Sequence, residues 1–215
     1  MTRIIIIRHG QSEANAHDLF AGHSDFDLTD FGKEQARRAA NYLKENEKVA
    51  AIYSSDLLRA YHTACPIGES LGLPVIKDTS LREIYAGSWE SLSFPYIAET
   101  YPEAFAVWRN DYSNARPVGG ESTAEVYGRI IPHVISIAKR HDGQTVVLAT
   151  HATVLRAFDA FSRGFSATET GKVHFAHNAS INIYECDEKG ATPVMTDITE
   201  HLGDLISTLP KIINA

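Results

Sequence analysis

The sequence predicts an α/β protein: a three-layer α/β/α sandwich with a mostly parallel central sheet and a small helical cap insertion. Three observations carry that expectation. The runs "TRIIIIR" (2–8), "VAAIYSS" (49–55) and "GQTVVLAT" (143–150) lack the polar alternation of half-exposed strands, so both their faces need cover. Helical periodicity separates them, as in β-α units that build a parallel sheet. A length of 215 residues, 44% hydrophobic and 22% charged, suits one domain with a sizeable core. Residues 1–215 therefore read as a single domain, with 85–118 as a cap-like insertion.

In chain order, the strand over 2–8 is followed by a helix over 28–48, with Thr29 or Asp30 as N-cap. Ala36, Ala39, Ala40 and Leu43 mark its apolar face at helical spacing. After the strand over 49–55, Asp56 opens a helix over 56–72 that Pro66 should kink or divide. "LPVIKD" (73–78) is a short strand. Residues 79–120 are aromatic and broken by Pro95 and Pro102, as expected of short helices laid over one end of the sheet, and 115–122 is a turn-rich connection. Ser122 and Glu125 form a capping box for a helix to about 141. The strand over 143–150 leads into a helix over about 152–163, and "ASINIYECD" and "TPVMTDITE" supply the last two strands.

Charge and cysteine content exclude several classes. With 20 Lys+Arg against 27 Asp+Glu the net charge is −7, which argues against nucleic-acid or anionic-membrane partners while leaving room for a local basic pocket. Cys65 and Cys186 show neither metal-ligand nor redox spacing, which points to reduced thiols in a cytoplasmic protein. The four isoleucines are too short for a signal-peptide core or a membrane span.

The polar residues at the strand ends are unusual. Arg8-His9 follows the first strand, Ser54-Ser55 closes the second with Arg59 in the next helix, and Thr150-His151 ends the fourth. Singly, each has a plainer reading: a histidine after a strand is commonly a loop or capping residue, and an arginine in a helix commonly a solvated one. Their convergence changes the weighting, because open α/β sheets bind ligands beyond the carboxyl ends of their strands. Two arginines near helix N-termini favour an anionic ligand such as phosphate. His174 and His177 lack a carboxylate at metal-site spacing and read as structural; no metal or cofactor is expected.

"RHGQSEAN" (8–15) resembles the signature of the histidine phosphatase superfamily, the phosphoglycerate-mutase-like proteins. "GHSDFDLTDFGKEQA" (22–36), "SSDLLRAYHTA" (54–64), "LREIYAGSWE" (81–90), "GGES" (119–122) and "THATVLR" (150–156) follow in the family's order. The resemblance implies that His9 is the nucleophile and becomes phosphohistidine. It implies that Arg8, Arg59 and His151 hold the phosphoryl oxygens, that Asn15 contributes an amide, and that Glu83 protonates the leaving alkoxide. Gly22 and His23 would lie in the loop on the substrate side, and Asn178 and Ser180 near the pocket floor. An ion pair with Arg82 is the plainer reading of Glu83. Two departures matter: Ala152 stands where glycine often follows the second histidine, and Ser91 where glycine often follows "WE".

The implied activity is metal-independent hydrolysis of a small phosphorylated metabolite. Phosphoryl transfer needs in-line positioning and cations around the equatorial oxygens, which arginines supply. Neutral imidazole is a good nucleophile, and nearby guanidinium groups disfavour imidazolium. The alternatives are a mutase-type phosphotransferase and a catalytically inactive phospho-ligand binder. Mutases of the family carry a longer, more basic segment before the second histidine, whereas residues 91–112 offer only Arg109 as a cation. Tyr85, Trp89, Phe94 and Tyr96 are candidates for lining the cap. The family often dimerises, so a homodimer stays open.

Overall fold

The computed structural model describes residues 1–207. Six strands form one sheet: β1 (Thr2–Arg8), β2 (Val49–Ser54), β3 (Val75–Lys77), β4 (Thr145–Thr150), β5 (Ile181–Asp187) and β6 (Gly190–Ile198), in the order β3-β2-β4-β1-β5-β6. The β3-β2, β2-β4 and β4-β1 pairings are parallel; β5 joins β1, and β6 joins β5, antiparallel. The sheet is thus mostly parallel, with one hairpin added at the β1 side.

The isoleucine run shows why β1 must be central. Ile4 and Ile6 join the apolar cluster of α6 (Thr123–Arg140) and α7 (Ala152–Ser162), through Val126, Ile130, Val154 and Phe158. Ile5 and Ile7 join the opposite cluster with Ala39, Ala40 and Leu43 of α2 (Asp30–Asn46) and Ala64 and Ile67 of α3 (Leu58–Leu71). Side chains alternate across a strand, so four consecutive isoleucines require cover on both faces. The three-layer α/β/α expectation holds.

Most local signals act as expected. Thr29 caps α2 by accepting from Gly32 N, and Ser122 and Glu125 complete the capping box of α6. The helix after β2 differs: it starts at Leu58, and Asp56 does not cap it. The Asp56 carboxylate accepts from Arg82 Nε (2.7 Å), while Asp25 Oδ1, from a distant loop, accepts from Leu58 N (2.7 Å). Pro66 sits inside α3 without dividing it.

Residues 85–118 form two short helices, α4 (Phe94–Thr100) and α5 (Pro102–Asn110), with single 3₁₀ turns on either side. Their Trp89, Phe105, Trp108 and Tyr112 share one buried cluster with Ile4 and Ile6. Ser91 adopts φ +62°, the left-handed region that favours glycine, which is the residue the resemblance leads one to expect there. No helix among the described residues is long and apolar enough to cross a membrane.

Candidate active site

The tips of the parallel strands are tied together. His9 N donates to the Thr150 carbonyl (2.9 Å), joining β1 to β4, and Thr150 Oγ1 donates to the Leu81 carbonyl (2.7 Å), holding the segment that carries Glu83. Above these tips lies a pocket of about 80 Å³ whose lining includes Arg8, His9, Asn15, Gly22, Arg59, Glu83 and Ala152.

The histidine ring has a defined proton arrangement. His9 Nδ1 lies 2.7 Å from the Gly10 carbonyl, an atom that can only accept, so Nδ1 carries the proton and Nε2 the lone pair. Gly10 is needed for close approach and not for a left-handed turn: a Cβ there would lie 2.5 Å from the Gly32 carbonyl oxygen. Thr63 Oγ1 accepts from Gly10 N (3.0 Å) and donates to the Arg59 carbonyl (2.7 Å), linking the His9 loop to α3. Asn178 Nδ2 donates to the His9 carbonyl (3.0 Å). Burial first, then the charges of Arg59 and Arg8, holds the His9 pKa well below the usual histidine value, so the ring is neutral.

The two arginines are buried but held by backbone carbonyls. Arg8 Nη1 donates to the Ala176 carbonyl (2.6 Å), and Arg59 donates through Nη1 and Nη2 to Ser24 (2.9 Å) and Gly22 (2.7 Å). Burial lowers each pKa to about 10, which leaves both charged at neutral pH. Arg8 Nε, Arg59 Nε and His151 Nδ1 have no hydrogen-bond partner among the described residues. Arg8 and Arg59 line the pocket, and each such unpaired buried N–H donor costs ~1–3 kcal/mol, a cost that an anion bound between the two guanidinium groups relieves.

His151 stands directly behind His9, with ring centroids 5.2 Å apart, and it is not part of the pocket lining. Its Nε2 is 2.8 Å from Ser55 Oγ. Burial, then Arg59, holds its pKa well below the usual value too. His23 also lies outside the lining: its Nε2 donates to the Glu83 carbonyl (2.8 Å), and its ring packs 5.3 Å from Tyr85. Gly22 takes φ +49° at this bend and presents its carbonyl to Arg59. Asn15 Oδ1 accepts from Ser12 Oγ (3.0 Å) and Asn178 Nδ2 (3.2 Å), which commits the oxygen and leaves the amide NH₂ for the pocket.

Glu83 makes no pair with Arg82, which is engaged by Asp56. Its Oε1 accepts from Ile84 N (2.8 Å), and its Oε2 accepts from Thr153 N (3.3 Å) in the first turn of α7. Ala152 opens that helix without positive φ, so no glycine is required there.

Of the aromatic candidates only Phe94 lines the pocket; Trp89 is core, and Tyr85 and Tyr96 are exposed. Leu19, Phe20, Ala21, Ile84, Trp108 and Phe175 form the rest of the apolar wall, and sequence reasoning missed them together with Thr63 and Thr153. Of the two threonines, Thr63 left a signal, lying one helical turn after Arg59. Ser180 bonds to Asn182 (3.3 Å), away from the lining. His177 pairs with Asp197 (2.7 Å).

A family model described as histidine phosphatase superfamily, branch 1, matches residues 4–199. The chain is 34% identical over 213 residues to phosphoserine phosphatase 1 of Hydrogenobacter thermophilus, covering 99% of this chain and 100% of that one. It is 34% identical over 208 residues to the metal-independent phosphoserine phosphatase of Arabidopsis thaliana, covering 95% and 85%. The solved structure of a mycobacterial glucosyl-3-phosphoglycerate phosphatase complexed with VO3 matches with a TM-score of 0.82 at 31% identity, over 91% of this chain and 98% of that one.

Proposed function

Because the chain belongs to branch 1 of the histidine phosphatase superfamily, we propose that it hydrolyses small phosphomonoesters without a metal, through a phosphohistidine on His9. The observation that carries the proposal is the His9 ring itself: neutral, with Nδ1–H given to Gly10, and set in a pocket beside two buried guanidinium groups. In the first step Nε2 attacks phosphorus and the P–O(ester) bond breaks as the N–P bond forms. Arg8, Arg59 and the Asn15 amide hold the three equatorial oxygens, and His151, expected from the resemblance to join them, lies buried beside the His9 ring and outside the lining. Glu83 gives a proton to the departing alkoxide. In the second step water attacks phosphorus, its proton passes to Glu83, and the N–P bond breaks to release phosphate. Such acid–base assistance is typically worth ~10²–10⁴ in rate.

Water is favoured over a second phosphate-bearing acceptor because, among the described residues, the only cations lining the pocket, Arg8 and Arg59, serve the reacting phosphoryl group. The name of the Arabidopsis relative supports metal independence. Free Cys65 and Cys186 support a reducing, cytoplasmic setting.

The test is hydrolysis of p-nitrophenyl phosphate between about pH 5 and 7 with EDTA present, for the wild type and His9→Ala. Wild-type turnover with acid-labile phosphate on the protein, and none in a folded His9→Ala variant, is expected. Binding of phosphate without turnover would leave a phospho-ligand binder, and loss of activity in EDTA would mean a metallophosphatase.

A further inference from the structure

The pocket has two unlike halves. One carries Arg8, His9, Asn15, Arg59 and Glu83; the other is walled by Leu19, Phe20, Ile84, Phe94, Trp108 and Phe175. We infer that the substrate is a phosphomonoester whose non-phosphate part is uncharged and largely apolar, and not a phosphoamino acid or phosphorylated carboxylic acid. The inference rests on the phosphatase reading above.

Charge pairing sets the limit on the leaving group. A phosphoserine brings an ammonium and a carboxylate into the site besides its phosphate. A charged group that leaves water needs a partner, and an unpaired one is strongly disfavoured in an apolar setting. Among the described residues the lining holds three ionisable side chains besides His9, and all three are committed: Arg8 and Arg59 to the phosphoryl oxygens, Glu83 to the leaving oxygen.

Charges on the elements packed around the pocket are also taken. Arg156 lies behind the wall, its guanidinium 4.2 Å from the Phe175 ring and 3.9 Å from that of Tyr112, and it donates to the Thr170 and Gly171 carbonyls (3.1 Å each). Glu90 accepts from the N–H groups of His23 (2.8 Å), Ser24 (2.7 Å) and Ala86 (2.9 Å). Arg129 is paired with Glu121 (2.8 Å) and donates to the Glu83 carbonyl (3.0 Å). Arg109 of the cap is exposed and outside the lining.

The apolar wall is also preformed. Phe20 packs edge-on against Trp108 (4.9 Å) and Phe94 (5.9 Å), and Trp108 against Tyr112 (5.1 Å). Fixed aromatic faces of this kind reward an apolar group and offer nothing to an ion.

The experiment compares kcat/KM for isobutyl phosphate and benzyl phosphate with that for O-phospho-L-serine and 3-phosphoglycerate. All four are esters of primary alcohols and make a similar demand on the acid, so differences among them report the pocket wall. The uncharged esters are expected to be favoured by at least roughly tenfold, about what one unpaired charge or lost apolar contact costs. Equal or better turnover of phosphoserine or phosphoglycerate overturns the inference and leaves the phosphatase reading intact. No turnover of any ester, p-nitrophenyl phosphate included, overturns the phosphatase reading and this inference with it. Leu19→Arg places a cation on the half-buried part of the wall. It should raise kcat/KM for phosphoserine and phosphoglycerate several-fold through KM, with p-nitrophenyl phosphate turnover confirming a folded site. An unchanged ratio would mean that the leaving group does not meet this wall.

Discussion

At His9 one ring proton decides the chemistry. Gly10 offers a carbonyl 2.7 Å from Nδ1, which fixes the tautomer, and burial beside Arg59 and Arg8 keeps the second proton off. The same surroundings would resist an imidazolium, so the group that protonates the leaving oxygen has to be another. Glu83 is the carboxylate in the lining, held by the N–H groups of Ile84 and Thr153 and free of Arg82. A leaving alkoxide needs a proton far more than a nitrophenolate does. Glu83→Gln should therefore cut kcat/KM on benzyl phosphate by ~10²–10⁴ and on p-nitrophenyl phosphate far less. Parallel losses on both esters would remove Glu83 from the acid's role.

Among the elements, those set by local chemistry were legible and those set by distant partners were not. Four isoleucines announce a strand covered on both faces, and Ser122 with Glu125 announces the start of α6, because each signal is complete within a few residues. The start of α3 was misread because Arg82 takes Asp56 and Asp25 supplies the acceptor, neither being a neighbour in sequence. In the charged half, Arg8 and His9 could be read because they follow a strand and Arg59 because it stands in the first turn of the helix after one, whereas Asn15 and Glu83 were legible only through the family resemblance. The apolar half could not be read, since Leu19, Phe20, Trp108 and Phe175 come from separate segments and look like ordinary core. Nor did the sequence mark the clamp behind Phe175. Asp197 of β6, at φ +53°, accepts from His177 N (2.8 Å) and pairs with His177 Nδ1 (2.7 Å). The segment so fixed carries Phe175, the Ala176 carbonyl that holds Arg8, and the Asn178 amide that holds the His9 carbonyl. Asp197→Ala should lower kcat several-fold at a stability cost of about 1–3 kcal/mol, and Asp197→Asn, which keeps an acceptor for His177 N, should recover part of the rate. If Ala and Asn variants lose only stability, with kcat unchanged, the clamp does not position the site.

For the whole molecule, placing two neutral histidines beside two guanidinium groups has a thermodynamic consequence. His9 and His151 both have folded pKa values well below the usual histidine value, mainly through burial. In the unfolded chain each takes up a proton near pH ~6.5. Below that pH the unfolded state binds protons that the folded state refuses, so stability is full above about 6.5 and falls as the pH drops toward the folded values. Each histidine contributes up to ~1.4 kcal/mol per pH unit in that window. Asp56, whose hydrogen bond from Arg82 lowers its pKa, titrates in the more acidic carboxylate range and does not blur it. Urea unfolding at pH 7.5, 6.5 and 5.5 should show a progressive loss of stability. His9→Ala should flatten the profile by up to ~1.4 kcal/mol per unit, because it removes one refused proton. The flattening separates this effect from general acid destabilisation, which the substitution leaves untouched. A profile with the same slope in both proteins would mean that the His9 ring takes up its proton in the folded state, and a ring that does so could not serve as the nucleophile near neutral pH.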